Sequence, residues 1–156
     1  MSIEAVRPFL AAFGREGDIM EFPVSSATVE LAAQALNCEP CRIAKSLSFM
    51  VDDKPILVIA AGDAKIDNAG FKARFQTKAK MLTPDEVESL IGHGVGGVCP
   101  FAVNAGVETY LDVSLKRFQT VFPACGSSNS AIELTIPELE TYACARDWVD
   151  VCKNWR

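Results

Sequence analysis

Apolar residues at Ile3, Val6, Phe9, Leu10 and Phe13 recur at the spacing of one helix face, and Gly14 and Gly17 close that segment. Ile19 to Val24 reads as a short strand, and Ser25 or Ser26 as the cap of a second helix running to about Leu36, with Glu30 near its positive end. The stretch RIAKSLSFMV, residues 42–51, then changes period: Ile43, Lys45, Leu47, Phe49 and Val51 alternate onto one strand face. Asp52-Asp53-Lys54 is a tight turn, and Pro55 to Ala61 is a second strand closing a hairpin. Its unbroken apolar character predicts burial on both faces.

Beyond Gly62 and Asp63 a basic helix is expected over roughly Asn68 to Phe75, followed by a brief strand at Lys80-Met81-Leu82. Thr83-Pro84-Asp85-Glu86 carries a helix start: Thr83 as N-cap, Pro84 at the first helical position, Glu86 completing a capping box. That helix ends by Gly92. Val107 to Val113, Arg117 to Ala124 and Ala131 to Ile136 are three further strands, and Pro137 opens a last helix through Tyr142, with the tail Ala145 to Arg156 as its extension. Strands and helices are interspersed and no repeat is present. The expected class is α+β: a single domain over residues 1–156 with a mixed or antiparallel central sheet and flanking helices.

Three stretches have candidate chemistry. Lys45 stands in line with strand apolars. Either its stem packs while the ammonium snorkels outward, or the ammonium sits at a cleft edge, where it can donate to a phosphate or carbonyl or act as a base of lowered pKa. The loop Gly92 to Pro100 has four glycines in six positions, a backbone able to present N–H and C=O groups to a ligand. It lacks the Lys-Ser or Lys-Thr of a Walker loop and the βαβ setting of a dinucleotide site. The run Cys125-Gly126-Ser127-Ser128-Asn129-Ser130 suits a polar pocket or a plain turn. Asp112 alternates with Tyr110 on an expected strand, so it either faces a pocket or ends the strand.

Six cysteines are many for 156 residues. Cys38 and Cys41 form one C-x-x-C, but a structural zinc site needs a second pair or matching histidines, and His93 is the only histidine. Ordinary small buried or half-buried thiols are therefore expected, with no metal. Cys99 or Cys125 as a nucleophile would have only His93 as a conventional base. No apolar run approaches the roughly 20 residues of a membrane span, and the N-terminus lacks the pattern of a signal peptide, so a cytoplasmic protein is expected. The net charge of −5 argues against a nonspecific nucleic-acid coat. It is uneven, however: residues 42–80 hold eight basic and four acidic residues, which suits a solvated face or a local docking surface for a small anionic partner.

Taken in order, Thr28 to Ala33, Ile43 to Phe49, the hairpin strand ending Ala61-Gly62-Asp63, Gly94 to Phe101, and Tyr110-Leu111-Asp112 resemble the bacterial prolyl-tRNA editing family, the YbaK-like or synthetase-associated deacylase domains. The resemblance covers about residues 20–143. It implies the fold of that family and a free-standing enzyme that hydrolyses amino acids wrongly attached to tRNA, most often tRNA for proline. It assigns the family's lysine to Lys45 and its G-x-x-x-P loop to Gly96, Gly97, Val98, Cys99 and Pro100, with Ser26, Thr28, Asp112, Gly126 and Ser127 as further pocket candidates. It implies no metal or organic cofactor, the tRNA acceptor end as partner, and prolyl-tRNA synthetase as a second partner; the sequence does not give the oligomeric state, and a monomer is the default expectation. Two departures fall in the expected pocket. Cys99 stands where the family commonly has Ser, and Gly126-Ser127-Ser128 where it has Gly, a basic residue and Gly. Alanyl, cysteinyl, seryl, threonyl and non-protein aminoacyl groups all stay open as substrates, and so does a noncatalytic RNA-end or small-ligand binding module on the same fold.

Overall fold

The computed structural model describes residues 2–156. Its elements in chain order are α1 (Ser2–Ala11), β1 (Met20–Glu21), α2 (Val29–Leu36), β2 (Ile43–Val51), β3 (Lys54–Ala61), β4 (Lys65–Ile66) and α3 (Asn68–Phe75). Then come α4 (Pro84–Glu86), continued by a wide turn to Ile91, and β5 (Glu108–Asp112), β6 (Thr120–Pro123), β7 (Ser130–Ala131), β8 (Leu134–Thr135), α5 (Ile136–Tyr142), β9 (Asp147–Val149) and β10 (Cys152–Lys153). The fold is α+β. Its six-stranded mixed sheet has the order β8-β6-β2-β3-β5-β9, with two-stranded ribbons β1-β7 and β4-β10 beside it.

The hairpin is the centre of the sheet. Asp52 and Asp53 take φ of +50° and +61°, the left-handed pair that a two-residue primed turn requires, and β2 and β3 pair antiparallel from Val51↔Lys54 to Ala44↔Ala61. Parallel neighbours follow on both sides, β6 along β2 at Ile43 and Ala44, and β5 along β3. β3 is consequently covered on both faces. Leu57, Ile59 and Ala61 enter a core shared with Val6, Leu10, Phe101, Leu111 and Leu139, while Ile56, Val58 and Ala60 enter a second with Phe49, Phe71, Phe75 and Val149. Two separate cores on alternate residues account for its lack of polar positions.

Several boundaries differ from the sequence reading. The first short strand keeps only Met20–Glu21. α2 is capped by Thr28, whose Oγ1 accepts from the Leu31 N–H at 3.2 Å, rather than by Ser25 or Ser26; Ser26 is engaged elsewhere, its N–H and hydroxyl both bonded to Ser128 O. The expected strand from Arg117 is shortened by a 3-10 turn over Val113–Arg117 that starts on the Asp112 carboxylate. Ala131 to Ile136 divides into β7, β8 and the start of α5, where Thr135 and Glu138 form a capping box. The tail does not prolong α5. Cys144 turns to φ +50°, Arg146 N–H bonds to Thr109 O, and the chain runs on as β9 beside β5 and β10 beside β4. By contrast Thr83 caps α4 with a complete capping box and Gly92 closes the following turn at φ +102°.

Candidate functional site

The ladder along the outer edge of β2 is interrupted. Parallel pairing with β6 ends at Ala44; beyond it, Leu82 N–H donates to Ser48 O at 3.2 Å and Met50 N–H to Lys80 O at 2.9 Å. Even-numbered residues of β2 therefore turn their peptide groups away from β3, in keeping with Pro55, which has no N–H to give, lying opposite Met50. Between the two contacts the edge opens onto a cavity of about 340 Å³. It reaches round the strand, with Ala44, Ser46 and Ser48 from one face and Ile43 and Lys45 from the other. Ser26 to Val29 from the head of α2, Gly96 and Val98 from the glycine loop, Phe122 and Ala124 of the β6 segment, Ser130 of β7 and the Met81-Leu82 stretch add to the wall.

Lys45 is half-buried at this wall. Its Nζ donates to Gly62 O at 3.3 Å and to Ala64 O. Loss of hydration lowers its pKa below the ordinary lysine value, and the nearby Cys152 and Asp63 act in the opposite sense. The turn that receives the ammonium is itself held from two sides. A Cβ on Gly62 would lie 2.0 Å from Pro40 O and 2.8 Å from the Val29 side chain, so the backbone passes where only glycine fits. Asp63 takes a two-pronged contact from Arg117, at 2.6 and 3.0 Å, and this hydrogen bonding holds its carboxyl below the usual carboxylate range. Sequence reading recognised the Gly62-Asp63 pair but had no means of finding Arg117, which lies 54 residues from Asp63 along the chain.

The glycine loop is shaped by two of its glycines. Gly97 N–H bonds to Gly94 O at 3.1 Å with Gly96 at φ +94°, a tight turn that carries Val95 at its tip. Gly97 abuts the Gly126-Ser127 backbone so closely that a Cβ would fall 2.7 Å from Gly126 C. Behind the loop, His93 is buried and its Nε2 lies 2.7 Å from Phe101 O, tying the two ends of the segment together. Burial pushes the imidazole pKa down.

Of the sequence candidates, Ser26, Thr28, Lys45, Gly96 and Val98 line one cavity, and Gly97, Cys99, Pro100, Asp112, Gly126 and Ser127 do not. Gly97 and Gly126 act as the seam between two loops. Pro100 is buried beyond the wall. Cys99 points into the core, its Sγ 3.5 Å from His93 Nε2 and 3.7 Å from Phe101 O, and burial pushes its thiol pKa up to about 12. Cys125 is equally buried and its thiol is raised by the same cause, so neither thiol is presented as a nucleophile. Asp112 is fully buried and accepts the Ser114 and Val151 N–H groups, both at 3.0 Å, anchoring the C-terminal segment to the end of β5. Ser127 Oγ is hydrogen-bonded to Asn129 Oδ1 and to Ser130 Oγ within its own turn. Ser46 and Ser48, absent from the sequence candidates, belong to the wall. Strand alternation next to Lys45 was the available signal. Among the described residues no group of three or more His, Cys, Asp or Glu side chains is placed to hold a metal ion, and no helix is long and apolar enough to cross a membrane.

An ammonium at the rim, small hydroxyl side chains and an open glycine turn can position a polar ester and stabilise charge on it, without a nucleophilic side chain in the wall. Comparisons agree in direction. The chain is 56% identical over 156 residues to the uncharacterized protein YwhH of Bacillus subtilis (strain 168), covering 99% of each. It is 30% identical over 102 residues to the proline–tRNA ligase of Geobacillus sp. (strain WCH70), spanning 18% of that longer protein. The crystal structure of a protein proposed as a trans-editing enzyme for prolyl tRNA synthetase superposes with a TM-score of 0.87 at 29% identity, over 97% of each chain. Residues 24–142 match the aminoacyl-tRNA editing domain model, and the chain belongs to that family.

Proposed function

We propose that this protein hydrolyses the ester bond of mischarged aminoacyl-tRNA in trans, acting in the cytoplasm on tRNA for proline that carries a small wrong amino acid such as Ala, Cys, Ser or Thr. The observation that carries the reading is the single cavity that Lys45 shares with the Gly96 turn and the head of α2. An aminoacyl ester is already activated, so its cleavage calls for positioning and charge stabilisation more than for a strong nucleophile. Lys45 supplies a partly desolvated donor for the ester or the terminal ribose. The backbone at Gly96 approaches the aminoacyl group with no Cβ between. Water attacks the carbonyl carbon, the ester C–O bond breaks, and the proton passes to the departing ribose oxygen; the acceptor end itself is the leaving group.

The family membership and the likeness to a protein proposed to serve prolyl tRNA synthetase support tRNA as the partner, with that synthetase as the source of the mischarged species. So does charge. Lys72, Lys78 and Lys80 are exposed, and Lys80 adjoins Met81 at the cavity wall, so the basic segment leads to the opening. The test is a panel of mischarged tRNAs with the wild type and Lys45→Ala. Release of at least one amino acid by the wild type, lost in Lys45→Ala, is expected. Acceptor-end binding without release of any amino acid would overturn hydrolysis in favour of a binding module.

A further inference from the structure

Ser46 is the residue at which the outer edge of β2 has no strand partner. The β6 pairing stops at Ala44 and the contact with Leu82 begins only at Ser48, so alternation turns the Ser46 N–H and C=O to the cavity side. Ser46 belongs to the same wall, and its Oγ is buried with no hydrogen-bond partner among the described residues. Three other hydroxyls of the wall are engaged. Ser26 bonds to Ser128 O, Thr28 caps Leu31 N–H, and Ser130 Oγ is paired with Ser127 Oγ. A buried hydroxyl left unmatched carries a desolvation cost that a ligand group can relieve.

We propose that Ser46 is a specificity-determining residue of this cavity and that the aminoacyl group it favours carries its own side-chain hydroxyl, the seryl and threonyl class, over plain alkyl side chains. This deepens the deacylase reading and rests on it. The serine χ1 has three staggered wells, so Oγ can turn toward a hydroxyl seated in the cavity, while the apolar part of that side chain meets Val98, Ile43 and Phe122. Discrimination of this kind is available to a hydrogen-bonding site. A wall that only measures size separates side chains differing by one small group weakly, whereas a site with a buried polar group rejects ligands that leave it unmatched.

The experiment measures kcat/KM for release of Ser, Thr and Ala from tRNA for proline, using wild type, Ser46→Ala and Ser46→Thr, with melting curves to establish that each variant is folded. The expected wild-type result is a preference for the seryl or threonyl ester over the alanyl ester. Ser46→Ala is expected to compress that ratio by about 10- to 100-fold, the worth of one to two tenfold steps, and Ser46→Thr to retain it. A wild type that prefers the alanyl ester, or a ratio unmoved by Ser46→Ala, overturns the assignment while the deacylase reading stands. Absence of cleavage on all three esters overturns this inference, and absence of cleavage on a cysteinyl ester as well overturns the deacylase reading itself.

Discussion

Lys45 Nζ lies 3.3 Å from the carbonyl oxygen of Gly62, with Ala64 O as its second acceptor. The ammonium is thus neither free in solvent nor paired with a carboxylate. It is held at the rim of a cavity by two carbonyl groups, half-buried, with its pKa lowered by that burial. A donor kept in this way needs little reorganisation to meet a developing negative charge.

Lys45→Met should reduce ester hydrolysis by about 100-fold or more, the scale of losing one preorganised donor. Folding stability should move by only about 1–2 kcal/mol, because removal of a desolvated charge is offset by two carbonyls left without a donor. Chemical denaturation and single-turnover assays on the same samples separate the two. Since the charged form is disfavoured in the folded state, Lys45-dependent hydrolysis, corrected for spontaneous ester loss, should decline at a pH below that at which an ordinary lysine titrates.

Gly62 and Gly97 are both packed against backbone, and Gly94 is open. Gly62→Ala would set a methyl 2.0 Å from Pro40 O, and Gly97→Ala would set one 2.7 Å from Gly126 C, whereas nothing lies within 4 Å of a Cβ on Gly94. Each of the first two substitutions should cost about 1–3 kcal/mol in stability, as overpacking does. Gly94→Ala should leave the melting temperature close to that of the wild type. Three thermal melts decide the matter; equal melts for all three would contradict the close approaches described.

The imidazole of His93 is buried and its pKa lies below the ordinary value, through desolvation that exceeds the help of the Phe101 carbonyl. The unfolded chain therefore binds this proton more readily than the folded one. Stability is fully present above the unfolded pKa of about 6.5 and falls as pH drops from there toward the lowered folded value, by about 1.4 kcal/mol for every pH unit between the two. Urea denaturation at pH 7.5 and 5 should show this slope, and His93→Gln should flatten it over that window.

Thiol labelling should separate the cysteines by burial. Cys144 is exposed, whereas Cys99 and Cys125 are buried with raised pKa values. Under native conditions a disulfide reagent should modify Cys144 first, and Cys99 and Cys125 only after denaturant is added. Rapid native modification of Cys99 accompanied by loss of hydrolysis would revive a thiol mechanism.

If the basic segment receives the acceptor end, replacing Lys72, Lys78 and Lys80 with Ala should weaken tRNA binding without altering discrimination among aminoacyl groups. The slope of log affinity against log salt should shrink by about one for every phosphate that a replaced lysine had neutralised. Binding measured across a salt series reads this directly.

The amino-acid sequence by itself determined the parts whose information is local. Alternation through Ile43 to Val51, the turn at Asp52-Asp53, the doubly buried β3 and the Thr83–Glu86 capping box are each settled by residues within a few positions of one another. It also brought Lys45, Gly96 and Val98 forward, by residue type and by resemblance. Tertiary structure decided what depends on distant chain. Loop side chains have no period, so nothing in Gly-Gly-Val-Cys-Pro told that Val98 would face the cavity and Cys99 the core. The tail became strands because β4 and β5 offered edges to pair with, a gain that overrode any local preference for helix. The position of Lys45 Nζ was likewise settled from afar, by a turn fixed against Pro40 on one side and tied through Asp63 to Arg117 on the other.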